Sequence, residues 1–219
     1  MKGSPMSPSH ATHVTVVRHG ETTWNVTGRQ QGHLDGELSE LGVAQAEAVA
    51  RGLSDDRFDA LYSSDLGRSV QTAEILGARL GLEVVTDARL REKHLGCLQG
   101  MVMADFEREQ PELYACLRSD DPDFALPGGE STRQVYDRSV ACTNDLARRH
   151  AGERLLVVSH GGILGCFLRH ALGLPILGPR NYALYNASIN VFTISDDVWR
   201  LEQWGLTDHL RDLGTIDDW

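Results

Sequence analysis

Two short runs, Val14-Thr15-Val16-Val17 and Leu155-Leu156-Val157-Val158, lack the alternation of a strand with one wet face, and each leads into a histidine followed by glycine. Strands that are apolar on both faces belong to parallel sheets covered by helices on either side. The first run closes on Arg18-His19-Gly20 and the second on Ser159-His160-Gly161. In sheets of that kind ligands bind beyond the carboxyl ends of the strands, and glycine lets the backbone turn sharply and approach a ligand closely. If the two runs are neighbours, their imidazoles meet at one edge of the sheet. An imidazole held beside a guanidinium suits an anion, and a phosphate above others.

The rest of the chain alternates in the same manner. Ser39 is a candidate N-cap for a helix carrying Val43, Ala46, Ala50 and Leu53 on its apolar face. Phe58 to Tyr62 reads as a strand ending in Ser63-Ser64-Asp65. A helix with Val70, Ala73, Leu76 and Leu80 follows and stops at Gly81, and Leu82 to Val85 is a short strand. Met101 to Leu117 is helical but interrupted by Pro111. Ser131 and Gln134 form a capping box for a helix running toward His150. Ile163 to Leu172 is helical and stops at Gly173 and Pro175, and Ile189 to Ile194 pairs with Val198 to Trp204 across Asp196-Asp197. The expected architecture is an α/β three-layer sandwich with a mostly parallel central sheet covered by helices on both faces. No linker or internal repeat divides it, so residues 13–210 read as a single domain. Residues 1–12 read as a disordered leader or an expression remnant, 211–219 as a C-terminal tail, and the Asp-rich stretch Asp120 to Gly129 as a surface insertion.

Composition narrows the function classes. Among 219 residues, 41% are hydrophobic and the net charge is −10, which argues against coating nucleic acid or an anionic membrane. No apolar stretch approaches the ~20 residues needed to span a bilayer. The four cysteines, Cys97, Cys116, Cys142 and Cys166, are scattered without a Cys-x-x-Cys pair, which reads as reduced thiols of a cytoplasmic protein. A local cluster of Arg and His can still make a positive pocket in an acidic chain. Ser63-Ser64-Asp65-Leu66-Gly67-Arg68 supplies one more element of it, placing Arg68 in the first turn of a helix whose N-terminus itself favours an anion.

In order along the chain stand Arg18-His19-Gly20-Glu21-Thr22 with Asn25, Gly28-Arg29-Gln30-Gln31-Gly32, Leu38-Ser39-Glu40-Leu41-Gly42, and Ser63-Ser64-Asp65-Leu66 with Arg68 and Gln71-Thr72-Ala73. Leu90-Arg91-Glu92, Pro127-Gly128-Gly129-Glu130-Ser131 and Ser159-His160-Gly161-Gly162 complete the set. Any one of these is weak, but the ordered set resembles the histidine phosphatase superfamily, also called phosphoglycerate mutase-like, from His13 to about Leu210. The resemblance implies that His19 is a nucleophile that becomes transiently phosphorylated. It implies that Arg18, Arg68 and His160 surround the transferred group, that Asn25 and the Gly161 backbone assist, and that Gln31 borders the substrate. Glu92 would be the proton donor to the departing alcohol. Arg18 and Arg68 are expected to bias His19 toward its neutral form. No metal or cofactor is required, because Arg and His do the charge work; His33, His94 and His209 show no metal-ligand spacing. The chain departs from many relatives where Gly96-Cys97-Leu98-Gln99-Gly100 stands in place of Gly-x-Trp-Glu-Gly.

The expected function is therefore hydrolysis of small phosphorylated metabolites. The alternatives are a cofactor-dependent phosphoglycerate mutase and, with less support, a catalytically dead phospho-ligand binding module. Mutases of this type usually carry a longer, basic insertion after the acid and Gly-Asn-Ser after the second histidine; this chain has a short acidic insertion and Gly161-Gly162-Ile163. The physiological substrate stays open, and no motif speaks for or against a homodimer.

Overall fold

A computed structural model describes residues 11–213. Its six strands, β1 (Thr12–Arg18), β2 (Ala60–Ser63), β3 (Val84–Thr86), β4 (Arg154–Ser159), β5 (Ile189–Ser195) and β6 (Val198–Leu206), form one sheet in the order β3-β2-β4-β1-β5-β6. The first four pair in parallel, and β5 and β6 are added antiparallel at one side. The two apolar runs are indeed adjacent: Val14 lies opposite Leu155 and Arg18 opposite Ser159. They are apolar at successive positions because both faces are covered. Val14, Val16, Leu155 and Val157 enter one core, whereas Val17, Leu156 and Val158 enter the other. All seven are 0% exposed, each worth roughly 1.5–3 kcal/mol of burial.

The helices are α1 (Thr23–Val26), α2 (Glu40–Gly52), α3 (Gly67–Leu80), α4 (Met103–Glu109), α5 (Pro111–Leu117), α6 (Thr132–Arg149) and α7 (Gly161–Ala171). Ala46 and Val49 of α2 and Ala73 and Leu76 of α3 fill the core on one face of the sheet. Val140 and Leu146 of α6 and Ile163 and Phe167 of α7 fill the other. The expected caps form: Ser39 Oγ accepts the Gly42 N–H at 3.0 Å, Ser131 and Gln134 make the reciprocal box, and Gly81 ends α3 with φ +71°. The hairpin turns through Asp196 and Asp197, both at positive φ, as a two-residue loop between twisted strands requires.

Two local expectations need correction. Val43 is exposed, because α2 is rotated so that Gly42 faces the Glu21 backbone. A Cβ on Gly20 would stand 3.2 Å from Gly42 Cα, so the turn after β1 and the start of α2 meet through two glycines. β3 starts at Val84, since the Leu82 N–H is spent on Gly77 O at the end of α3. The interruption expected at Pro111 is present: Met103–Glu109 and Pro111–Leu117 are separate helices, and the missing N–H of Pro111 costs nothing at the start of the second.

At the termini, Thr12 opens β1 and its hydroxyl donates to Ala147 O at 2.8 Å, whereas 1–10 of the expected leader lie outside the described residues. A 3₁₀ turn, Asp208–Leu213, carries Leu210 and Leu213 onto the second core; the remainder of the expected tail, 214–219, lies outside the described residues. The Asp-rich stretch is exposed at Asp120, Asp121 and Asp123, yet Leu126 is buried with Leu98 and Phe106 in a small separate cluster. That cluster supports a cap beside the carboxyl edge of the sheet. Among the described residues, no helix is long and apolar enough to cross a membrane.

Candidate active site

Register alone brings the strand tips together. Arg18 is level with Ser159 and Ser63 with Val158, and the His19 N–H donates to Ser159 O at 3.0 Å. The His19 and His160 rings are therefore 5.2 Å apart between centroids. His19 Nδ1 lies 2.8 Å from Gly20 O. A carbonyl oxygen only accepts, so Nδ1 carries the proton and Nε2 keeps the lone pair. Burial holds the His19 pKa well below 6.5, and the nearby charges of Arg68 and Arg18 push it the same way. The expected neutral imidazole follows, with desolvation as the larger cause.

His160 is fully buried against His19 and does not form part of the cleft wall. Its Nε2 is 3.2 Å from Ser69 Oγ on α3, and its Nδ1 has no hydrogen-bond partner among the described residues. Burial, followed by Arg68, His19 and Arg18, also holds its pKa well below 6.5.

Arg18 is nearly buried and donates through Nη1 to Leu184 O. Arg68, the second residue of α3, is 1% exposed. Its Nη1 donates to Leu34 O at 3.0 Å and to Asp35 Oδ1 at 2.8 Å, and its Nη2 to Gly32 O at 2.8 Å. The Nε of Arg68 has no partner among the described residues. Asp35 was missed by sequence reasoning. It orients the guanidinium and also accepts the Gly67 N–H at 2.8 Å, closing the start of α3, where no side chain caps from the N-cap position. Burial lowers the Arg68 pKa and Asp35 opposes that shift, but a guanidinium starts high enough to stay charged.

Arg18, His19, Arg68, Glu92, Asn25, Gln31 and Gly161 all line one cleft of about 580 Å³. The Asn25 carbonyl is turned back onto the Thr22 N–H and hydroxyl, fixing the side chain in the first turn after β1. Gln31 is nearly buried and accepts the Gly36 N–H at 3.4 Å. Gly161 and Gly162 open α7, which has no side-chain cap, so its first N–H groups are available to acidic or anionic partners. Glu92 uses one of them: Oε2 accepts the Gly162 N–H at 2.9 Å, and Oε1 accepts the Lys93 N–H at 2.8 Å.

Sequence reasoning also missed Lys93, whose ammonium lies 3.1 Å from Thr132 Oγ1 on the cleft wall and whose pKa burial pulls down. Nothing but its place beside Glu92 marked it. Where many relatives carry Trp-Glu, Leu98 is buried in the cap, and Gln99 Oε1 accepts the His33 N–H at 2.7 Å. His33 and His94 stack edge to face, and His33 Nε2 is 2.8 Å from Glu92 O. His209 Nε2 is 3.0 Å from Ala187 O. Among the described residues, no cluster of His, Cys, Asp and Glu is arranged to hold a metal ion.

An imidazole with a free lone pair, set between guanidiniums at the carboxyl edge of a doubly covered sheet, marks a class of α/β protein that handles phosphoryl groups. The family model of the histidine phosphatase superfamily (branch 1) matches residues 14–207, and the chain belongs to that superfamily. Phosphoglycerate mutase-like protein 4 of Arabidopsis thaliana is 41% identical over 207 residues, covering 93% of this chain and 89% of that protein. The metal-independent phosphoserine phosphatase of the same plant is 38% identical over 211 residues, covering 95% and 87%. Among solved structures, the mycobacterial glucosyl-3-phosphoglycerate phosphatase with VO3 is similar at 36% identity with a TM-score of 0.78, covering 89% of this chain and 99% of that one.

Proposed function

We propose that this protein is a metal-independent phosphomonoesterase acting on small phosphorylated metabolites through a phosphohistidine on His19. The observation that carries the reading is the His19 ring, buried neutral between Arg18 and Arg68 with its Nδ1 proton donated to Gly20 O. In the first step Nε2 attacks phosphorus and forms a P–N bond as the ester P–O bond breaks. The leaving alkoxide takes a proton from the Glu92 carboxyl. In the second step water attacks the phosphohistidine, Glu92 accepts the water's proton, and the P–N bond breaks to return neutral His19 and inorganic phosphate. Arg18 and Arg68 balance charge on the equatorial oxygens. The Asn25 amide and the Gly161 N–H add neutral donors, and Gln31 borders the substrate.

His160 has a supporting place in this scheme. Its orphaned Nδ1 is buried beside the nucleophile, and contact with the phosphoryl group would satisfy it. Covalent transfer splits one difficult displacement into two easier ones. A lone proton donor supplies only ~10²–10⁴-fold, so the cationic grip and the nucleophile carry the remainder.

Quenching the reaction in base should trap a phosphate adduct on His19, absent from His19→Ala, whose turnover falls to background with the fold intact. Turnover should persist in the presence of a chelator. Full activity of His19→Ala, or its loss to the chelator, would overturn the scheme. Release of phosphate compared with mutase flux on phosphoglycerates decides between water and a sugar acid as acceptor. We assign the protein to the cytoplasm on its free cysteines, two exposed and two buried, and leave homodimer formation open.

A further inference from the structure

Glu92 sits on an irregular segment between β3 and the cap, where a proton donor would wander unless something fixed it. The 3₁₀ turn Ala88–Leu90 precedes it. The backbone carbonyls along this segment are gripped one after another. Ser159 Oγ donates to Leu90 O at 2.9 Å. Arg138, from the second turn of α6, donates Nη1 to Arg89 O at 2.8 Å and to Arg91 O at 2.7 Å, and Nη2 to Glu92 O at 2.8 Å. Its remaining donors meet Glu130: Nε to Oε1 at 2.8 Å and Nη2 to Oε2 at 2.9 Å. A guanidinium has five N–H donors in one plane, and here each has an acceptor. Glu130 in turn accepts the His94 N–H at 2.9 Å, so the same pair holds the segment on both sides of Glu92.

We infer that Arg138, backed by Glu130, is the positioning residue for the proton donor, holding the Glu92 backbone so that its carboxyl reaches the cleft. The inference rests on the reading of Glu92 as the acid. Arg138 is not among the residues lining the cleft, so it acts through Glu92 and not on substrate. The anchor is rigid: Val135, Ser139 and Val140 flank Arg138 on α6 and are buried. Lysine cannot replace it, because three donors on a mobile ammonium cannot serve five fixed acceptors.

A positioning role differs from a structural one in the leaving group it affects. An alkyl phosphate needs a proton as its alkoxide departs, whereas p-nitrophenyl phosphate releases a stable anion and needs it far less. The test measures kcat on glycerol 3-phosphate and on p-nitrophenyl phosphate for Arg138→Met, Arg138→Lys and Glu92→Gln. The aryl-to-alkyl ratio should rise tenfold or more in Arg138→Met and by a smaller factor in Arg138→Lys. If the Met variant does not fold, the Lys variant, which keeps the charge, decides. Equal losses on both esters, or no loss on either, would overturn the assignment. Glu92→Gln separates the two levels. If it raises the ratio and the Arg138 variants do not, the clamp alone fails. If it does not raise the ratio, the acid reading fails and takes the clamp with it.

Discussion

Gly162→Ala adds one carbon at a place where the carboxyl of Glu92 already stands. A Cβ built on Gly162 would lie 3.0 Å from Glu92 Cδ and 3.2 Å from Oε2, and closer still to Oε1. The clash is with the far end of a side chain, so the carboxyl swings aside and the backbone keeps its path. Swinging aside breaks the bond from the Gly162 N–H, a hydrogen bond worth about 0.5–3 kcal/mol. Alanine in a helix recovers up to about 1 kcal/mol relative to glycine. The net cost is at most about 3 kcal/mol, below the ~5–15 kcal/mol of a typical domain, so the variant stays folded. The loss falls on proton transfer. Turnover of an alkyl phosphate should drop by about 10²–10⁴-fold, the usual worth of a positioned general acid, while p-nitrophenyl phosphate loses far less. Steady-state kinetics on both esters, with a thermal melt of the same sample, measures it. Unchanged alkyl turnover would refute the placement of the acid at the start of α7, and equal losses on both esters would mean that the added methyl merely obstructs the cleft.

Two other outcomes follow from charge and burial. His19 and His160 are held neutral in the fold, whereas each takes a proton near 6.5 once unfolded. Below that pH the unfolded chain binds more protons, so their contribution to stability is intact above 6.5 and declines as pH falls toward their lowered values. Stability should therefore fall between pH 7.5 and 5.5, read from urea midpoints; substituting either by Gln should remove its share of the slope, and parallel slopes would refute the burial argument. Asp35→Ala takes away the acceptor shared by Arg68 and the Gly67 N–H, and should lower kcat/KM about tenfold, some 1.4 kcal/mol of lost positioning. Asp35→Asn keeps an oxygen there and should retain most activity; equal loss in both would assign the effect to charge and not to geometry.

What the sequence revealed was local or periodic. The strand tips were legible because unbroken apolar runs mean burial on both faces, and a glycine after each histidine marks the edge of the sheet. The caps at Ser39 and Ser131 were legible because their partners stand three residues away. Val43 was misplaced because the rotation of α2 is set by its contact with Gly20, a tertiary constraint that outweighs helical period. Asp35 and Arg138 carried no signal for a related reason. Asp35 meets Arg68 across 33 positions, and Arg138 meets Glu92 across 46, with no spacing rule to link them. The burial of Leu126 was hidden in the same way, since its partners Leu98 and Phe106 are distant in sequence.

The site therefore has two parts with different foundations. His19, His160 and Ser63-Ser64 stand on hydrogen-bonded strand ends, fixed by a sheet whose inner residues are wholly buried. Glu92 and the outer wall stand on a segment held by side chains and roofed by a cap with its own small cluster. The cap can change in sequence without disturbing the strand register, because the large cores lie on the faces of the sheet and the cap cluster shares no residue with them. The two parts still touch, at Ser159 Oγ on Leu90 O and, farther out, through a relay. Gln99 Oε1 holds the His33 N–H, His33 follows Gly32, and Gly32 O takes a hydrogen bond from Arg68. Through that relay a cap residue fixes the loop that orients the Arg68 guanidinium. Strand register thus fixes the surroundings of His19, whereas in the function proposed above the choice of substrate falls to the cap and the segment that carries Glu92.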